Sequence, residues 1–277
     1  MEKIVILMAT YNGEKYIEEQ IQSIISQTFQ NWELYVRDDG SSDSTVHIIE
    51  LLCKQDNRIN LLNDKEKHLG AKHSFLRLLS KVDGDLYMFC DQDDVWLPNK
   101  IERTLKEYKK QSQLYSGPIV IHTDVKVVDE NLNTISHSYF KSIKINPDKY
   151  KSYNYLAIIC FTQGATMLFN NEAKYLCFPL PKDPRMHDFW VSTRVLRNGG
   201  RIFTIYDQTM LYRQHGNNVY GANIGKNNSL LSCFLSTKSI VKKNWEKYKY
   251  LKTDDYGPFI KYLWYRLRLL IGMNILS

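Results

Sequence analysis

Asp91, Gln92, Asp93 and Asp94 stand in a row after the apolar run Leu86-Tyr87-Met88-Phe89-Cys90 and before Val95-Trp96-Leu97-Pro98. Carboxylates at alternate positions bring hard oxygen atoms close enough to close on one divalent cation, and a cation held that way can carry a diphosphate. The apolar run reads as a buried strand. In an open α/β sheet such a strand delivers whatever follows it to the carboxyl edge, where these folds bind ligands. Asp91 and Asp93 therefore predict a metal–diphosphate site. Asp94 has a second reading, as the cap of a helix opened by Pro98.

A site of this kind needs a sheet beneath it, and the first half of the chain alternates strand-like runs with helical periodicity, the pattern of β-α-β units. Ile4 to Met8 reads as a strand, followed after Thr10-Tyr11-Asn12-Gly13 by a helix whose Ile17, Ile21, Ile24 and Ile25 recur at helical spacing. Trp32 to Arg37 reads as a second strand with a turn at Asp38-Asp39-Gly40-Ser41-Ser42 and a helix capped near Asp43. Ile59 to Leu62 gives a shorter strand, Phe75, Leu78, Leu79 and Val82 a helix face, Ile101, Leu105 and Tyr108 another, and Ile119 to His122 a strand. Beyond residue 124 the pattern predicts a hairpin at Val125 to Val128 turning at Asp129-Glu130-Asn131, then a tyrosine-rich loop to about Asn154. Strands are expected at Ala165 to Phe169, Ile202 to Ile205 and Thr209 to Gln214, with a helix from about His187 to Leu196.

At 277 residues the chain can bury a substantial core, and 43% hydrophobic with 24% charged residues is ordinary for a globular protein. The five cysteines, Cys53, Cys90, Cys160, Cys177 and Cys233, lack C-x-x-C spacing and predict a reducing compartment. The first apolar run is too short for a signal peptide, and no uncharged stretch reaches the roughly 18 residues of a membrane span, so a cytoplasmic location is expected. Of the formal charge of +7, the segment from Lys238 onward carries nearly all: nine basic residues against Glu246, Asp254 and Asp255. That asymmetry predicts a polyanionic partner.

Several ordered motifs then carry a resemblance. Ala9-Thr10-Tyr11-Asn12 follows the first strand, Ser26-Gln27-Thr28-Phe29 ends the first helix, Asp38-Asp39-Gly40-Ser41-Ser42-Asp43 follows the second strand, and the acidic cluster comes next. In this order the chain resembles the family 2 glycosyltransferases of the GT-A fold over roughly residues 1 to 220. The wording from Cys90 to Lys100, with Met186-His187-Asp188-Phe189-Trp190 and Tyr212-Arg213-Gln214-His215-Gly216-Asn217-Asn218, is similar to the rhamnosyltransferase branch. The resemblance implies an α/β fold with a central, mostly parallel mixed sheet flanked by helices. It implies a catalytic domain over 1–225, with a nucleotide-binding half at 1–124 and an acceptor-binding half at 125–225, and a helical appendage at 226–277.

The resemblance also assigns roles. Asp91 and Asp93 take the DxD position, with Asp93 the direct ligand of Mn2+ or Mg2+, and His215 either adds an imidazole that favours Mn2+ or is a loop histidine. Thr10, Tyr11, Asp39, Gln92 and Asp93 would hold the nucleotide sugar, Asp39 accepting the imino hydrogen of uracil or thymine and Tyr11 bordering the pyrimidine. Asp38 has the weaker claim to that role, and Asp-Gly-Ser-Ser is also turn chemistry that Asp38 alone would serve. Lys72 is a phosphate contact or a solvated lysine. Asp188 would take the acceptor hydroxyl's proton in an inverting displacement, or cap a helix. Gly164, His187 and Trp190 would frame the acceptor sugar; Trp190 reads equally as core and Gly164 as a strand bend. The chain departs from the family's third loop, with His68 and Ser74 where asparagines are usual.

Near the end, Phe259, Ile260, Leu263, Trp264, Leu267, Leu270 and Ile271 recur at helical spacing with Lys261, Arg266 and Arg268 on or beside the opposite face, a basic amphipathic helix. It either docks on an anionic cytoplasmic leaflet, where lipid-linked glycan acceptors reside, or packs on the catalytic domain. No recognisable nucleic-acid motif accompanies it, so no nucleic acid is expected as partner. The sequence thus predicts an inverting, metal-dependent transferase moving rhamnose from dTDP-rhamnose to a lipid-linked oligosaccharide in cell-surface polysaccharide biosynthesis, peripheral on the inner face of the membrane. The alternatives are a UDP-hexose or UDP-N-acetylhexosamine donor, or a catalytically silent protein that binds nucleotide sugar.

Overall fold

A computed structural model of the chain describes residues 2–216, 237–253 and 256–275. Cys233, Asn217, Asn218, Asp254, Asp255 and the expected domain boundary at 225/226 lie outside the described residues. The first half carries β1 (Ile4–Thr10), α1 (Ile17–Ile25), β2 (Trp32–Asp38), α2 (Thr45–Gln55), β3 (Ile59–Leu61), α3 (Gly70–Lys81), β4 (Leu86–Cys90), β5 (Val95–Trp96) and α4 (Lys100–Leu114). The second half carries β6 (Ile119–Val128), β7 (Thr134–Ser136), three one-turn helices α5 (Tyr139–Ser142), α6 (Pro147–Tyr150) and α7 (Tyr153–Leu156), then β8 (Leu168–Asn170), α8 (Asn171–Tyr175), α9 (His187–Arg197) and β9 (Arg201–Arg213). Helices α10 (Thr237–Thr253) and α11 (Phe259–Ile275) follow.

The described strands form one mixed sheet in the order β3-β2-β1-β4-β8-β6-β9-β5, with β7 added to β6. β3, β2, β1 and β4 run parallel. β1 and β4 are covered on both faces, which explains why they are unbroken apolar runs without alternation. The register pairs Thr10 with Asp38 and Met8 with Cys90, so the loops after β1, β2 and β4 leave the same edge of the sheet.

Where β6 was expected to stop at His122, it continues to Val128, and the two strands expected at 202–205 and 209–214 are the single strand β9. The polar residues that break the apolar pattern sit where the β6–β9 register shifts beside Asp124: Thr123 pairs with Ile205 and Asp124 with Gln208, leaving Tyr206 and Asp207 as extra residues. A bulge of this kind keeps a strand continuous across a polar interruption. The Ala165 to Phe169 strand is also later than expected, since Gly164–Thr166 form a 3-10 turn before β8. Asp94 does not cap a helix; Asn99 precedes α4, and Asp94 lies before β5.

The described residues fall into two compact units, one from 2–139 and 162–216, the other from 140–161, 237–253 and 256–275. The segment 140–161, read from sequence as a loop of the acceptor-binding half, is short helix grouped with α10 and α11. Aromatic packing accounts for this: Ala157, Tyr248, Leu251, Tyr256 and Tyr262 form a buried cluster, and the Tyr256 hydroxyl donates to the Asn154 carbonyl at 2.7 Å. α11 consequently has two apolar sides. Tyr262 and Leu269 are buried and Phe259 and Leu263 pack against the cluster, whereas Ile260, Trp264, Leu267 and Ile271 are exposed. The single apolar face expected from sequence is thus divided. Among the described residues no helix is long and apolar enough to cross a membrane.

Candidate active site

One amide joins the loops after β1 and β4. Gln92 Oε1 accepts from the Tyr11 backbone N–H at 2.9 Å and its Nε2 donates to the Tyr11 carbonyl at 3.1 Å, a two-way bond like a sheet rung. Gly13 makes the approach possible, since a Cβ there would lie 2.4 Å from Gln92 Oε1. Thr10 is buried and its hydroxyl donates to Asp38 Oδ1. Asp38 Oδ2 accepts from the Gly40 and Ser41 backbone N–H groups, which gives it the turn-forming part. Tyr11 is 51% exposed and meets the His68 ring edge-to-face with centroids 6.0 Å apart.

Asp39 is buried. Its Oδ1 accepts from Arg37 Nη1 and the Leu69 N–H, and its Oδ2 from the Gly70 N–H at 2.7 Å, at the start of α3. Those bonds hold the carboxyl below the ordinary range although burial opposes them. Arg37, itself 1% exposed, also donates to Ser74 Oγ and Asp64 Oδ2. Ser74, a departure from the expected family pattern, is thus a partner of the arginine that holds Asp39. Asp64 additionally accepts from Arg77, and these bonds, Arg77's foremost, keep its carboxyl far below the usual range. A carboxyl lowered on folding stabilises the native state above its unfolded pKa of about 4 and loses that contribution as pH falls. Asp64→Asn is therefore expected to cost about 3 kcal/mol at neutral pH, with the difference shrinking below about pH 4, in urea unfolding at both pH values. Lys72 is ion-paired with Asp183, so in this conformation a carboxylate holds the ammonium expected to meet phosphate.

After β4 the acidic cluster meets the end of β9. Asp93 Oδ2 lies 2.8 Å from His215 Nε2, and the His215 ring sits 5.0 Å from that of Tyr16. Burial, then the charges of Asp93 and Asp188, push the Asp91 carboxyl up to about 7, which sets all three carboxylates in one electrostatic neighbourhood. Asp94 is fully buried, its Oδ1 accepting from the Arg213 N–H at 3.0 Å, and burial raises its carboxyl well above the usual value. Among the described residues no group of three His, Cys, Asp or Glu is assembled as a ready metal cage. The donor set nonetheless fits Mg2+ or Mn2+, which keep water and phosphate oxygens and need only one or two carboxylates from the protein.

Arg213 was missed as a functional residue, although it stands inside the quoted Tyr212-Arg213-Gln214-His215 motif. Its side chain is 3% exposed, lies 4.5 Å above the Tyr16 ring, and donates to the carbonyls of Asp93 at 2.8 Å and Glu130 at 2.7 Å and to the Glu19 carboxylate. One guanidinium fork thus fixes the acidic loop against α1 and the β6–β7 turn. Arg213→Lys keeps the charge and loses the fork. It is expected to raise the Mn2+ concentration needed for half-maximal turnover by about tenfold, read in a metal titration with folding followed by circular dichroism.

At the start of α9 the Asp188 carboxyl accepts from the Phe189 N–H at 2.6 Å and also from the Gly164 N–H, yet burial outweighs both and lifts it to about 6. Two expected acceptor contacts are corrected. His187 is buried, with its ring 4.0 Å from Phe75 and 4.7 Å from Phe89, and burial drives it down to about 3. Trp190 is 5% exposed and its Nε1–H donates to the Cys177 carbonyl at 3.0 Å. Both rings belong to the core that seats α9. Gly164 is buried too, and a Cβ there would lie 2.4 Å from His187 Nε2, so its small size serves the approach of that ring.

A parallel nucleotide-type half, a carboxylate loop at its carboxyl edge and a second half that brings another carboxylate to it define a nucleotide-diphospho-sugar transferase of the GT-A class. The family described as Glycosyl transferase family 2 matches residues 5–175, and the chain belongs to it. It is 31% identical over 78% of its length to the dTDP-rhamnosyl transferase RfbG of Shigella flexneri, 74% of which is covered. It is 38% identical over 39% of its length to the UDP-Glc:alpha-D-GlcNAc-diphosphoundecaprenol beta-1,3-glucosyltransferase WfgD of Escherichia coli, spanning 41% of that protein. Among solved structures, the mannosyltransferase PcManGT from Pyrobaculum calidifontis in complex with GDP-Man and Mn2+ superposes with a TM-score of 0.58 at 18% identity, over 78% of this chain and 58% of that one.

Proposed function

We propose that this glycosyltransferase is inverting and metal-dependent, and that it moves rhamnose from dTDP-rhamnose to a lipid-linked oligosaccharide at the inner face of the membrane. The observation that carries the reading is the acidic loop after β4, where Asp93 Oδ2 lies 2.8 Å from His215 Nε2 and the Asp91 carboxyl is raised by burial and then by the charges of Asp93 and Asp188. Likeness to the Shigella rhamnosyl transferase supports the donor, and the diphosphoundecaprenol acceptor of the E. coli relative supports a lipid carrier.

In this reading Asp39, fixed by Arg37, faces the imino edge of thymine, and the exposed Tyr11 ring borders the base. Asp93, Asp91 and His215 would hold Mn2+ or Mg2+, which when bound supplies charge neutralisation for the departing diphosphate. Asp188, deprotonated above about pH 6, takes the acceptor hydroxyl's proton. The acceptor oxygen then bonds to the anomeric carbon on the face opposite the diphosphate, whose bond breaks with the electron pair leaving on phosphate oxygen.

A second reading keeps the chemistry and changes the donor to a UDP-sugar, since uracil and thymine present the same imino edge to Asp39, and the E. coli relative is named for UDP-Glc. Nucleotide release from the purified protein separates the two, using dTDP-rhamnose, UDP-glucose, UDP-galactose and UDP-N-acetylglucosamine with Mn2+, Mg2+ or EDTA. Metal-dependent release of dTDP alone is expected. Release of UDP alone overturns the rhamnose assignment, and release undiminished by EDTA overturns the metal.

A further inference from the structure

The exposed side of α11 is an ordered ridge. Ile260, Trp264, Leu267 and Ile271 follow one another at four-, three- and four-residue steps and are 72%, 57%, 46% and 51% exposed. At a rise of about 1.5 Å per residue they form a strip about 16 Å long on one side of the helix. The opposite side is used already: Tyr262 belongs to the aromatic cluster of the same unit, and Leu269 is buried. On α10, Trp245 and Tyr250 are also exposed, and the Trp245 ring meets Phe259 at the head of α11 with centroids 5.1 Å apart.

The charge around the ridge selects its occupant. α10 contains six lysines and the single acid Glu246, and α11 contains Lys261, Arg266 and Arg268 with no acid. Two copies of so basic a unit repel each other, which disfavours self-association through this face. A nucleic acid would use the charge and leave the apolar strip wet. A bilayer with anionic headgroups satisfies both, taking Ile, Leu and Trp at the acyl boundary and Lys and Arg at the phosphates. Because no described helix can cross a membrane, the helix would lie in the plane of the surface.

We infer that α11 docks this chain in-plane on an anionic phospholipid surface through Ile260, Trp264, Leu267 and Ile271. The purpose, though not the evidence, rests on the lipid-linked acceptor proposed above. The full chain is tested by flotation with phosphatidylcholine vesicles that contain or lack phosphatidylglycerol, at low and high salt. Flotation is expected with the anionic vesicles only, weakened by salt. The double variant Trp264→Glu with Leu267→Glu should lower the vesicle-bound fraction about tenfold or more, with donor hydrolysis and circular dichroism unchanged. Absence of flotation with anionic vesicles, flotation undiminished in the folded double variant, or a dimer that the double variant dissolves would each overturn the docking. For the wild-type chain, no flotation with donor hydrolysis intact sinks the docking alone, while flotation without hydrolysis of any donor sinks the transferase reading and leaves the docking.

Discussion

Asp93→Ala is expected to lower kcat/KM for donor turnover by about a thousandfold, equivalent to about 4 kcal/mol of transition-state stabilisation. Asp93 is the carboxylate that His215 touches, at 2.8 Å, and after burial its charge is what raises Asp91 most, so it interacts with both other candidate ligands. Its removal would leave the diphosphate's developing charge with less neutralisation, an effect felt more in the transition state than in the bound donor. Asp93→Asn separates two explanations. The amide can still bond His215 and preserve the loop, but it brings no charge to a cation. Equal losses in Asn and Ala variants, with donor affinity little changed, identify the charge as the working feature. Near-wild-type turnover in the Asn variant would sink the metal-ligand assignment. Added Mn2+ is expected to rescue neither variant fully, and His215→Ala should lose less, because a water can take the place of an imidazole ligand.

The parts legible in the sequence were those fixed by local pattern. A strand of five apolar residues followed by alternating carboxylates needs no tertiary knowledge to place Asp91 and Asp93 at a sheet edge, and β1, β2 and β4 obey the same rule. His187 and Trp190 were misassigned because a motif reading treats neighbours along the chain as neighbours in a site. Within a helix, His187, Trp190 and Val191 share one side, a buried one, and Asp188 lies about 100° round from His187. That stripe was available in the sequence and outweighs the motif. Other pairings were not available. Arg213 reaches Asp93 across 120 positions and Glu19 across 194, and Lys72 reaches Asp183 across 111. Composition gives no hint of such partners, and an arginine as buried as Arg37 is an exception to the usual exposure of its type. The grouping of 140–161 with α10 and α11 escaped for the same reason: tyrosines that read as a polar connection supply an aromatic core only once the distant helices are in place.

Asp188→Asn should reduce transfer to acceptor by about a thousandfold and leave donor binding unchanged. The amide is nearly isosteric, and its oxygen can still accept the Phe189 N–H, so the start of α9 is preserved. What it loses is the capacity to take a proton. The pH dependence gives a second, independent readout. Burial raises the Asp188 carboxyl to about 6, against the bonds from Phe189 and Gly164 that favour its charged form. A base works unprotonated, so transfer is at its plateau above that value and falls by about tenfold per pH unit below it, whereas an unburied aspartate would hold the plateau down to about pH 4. The acid limb of kcat/KM should therefore bend near pH 6 in the wild type, and the residual activity of the Asn variant should be flat through the same range. A variant that keeps full transfer, or one that keeps the limb at pH 6, would remove Asp188 from the chemistry and return it to the part of a helix-terminal carboxylate. A limb that moves up toward 7 as Mn2+ is withdrawn would instead point to Asp91, whose carboxyl is raised to about 7 by burial, Asp93 and Asp188, because a proton and a cation compete for the same oxygens.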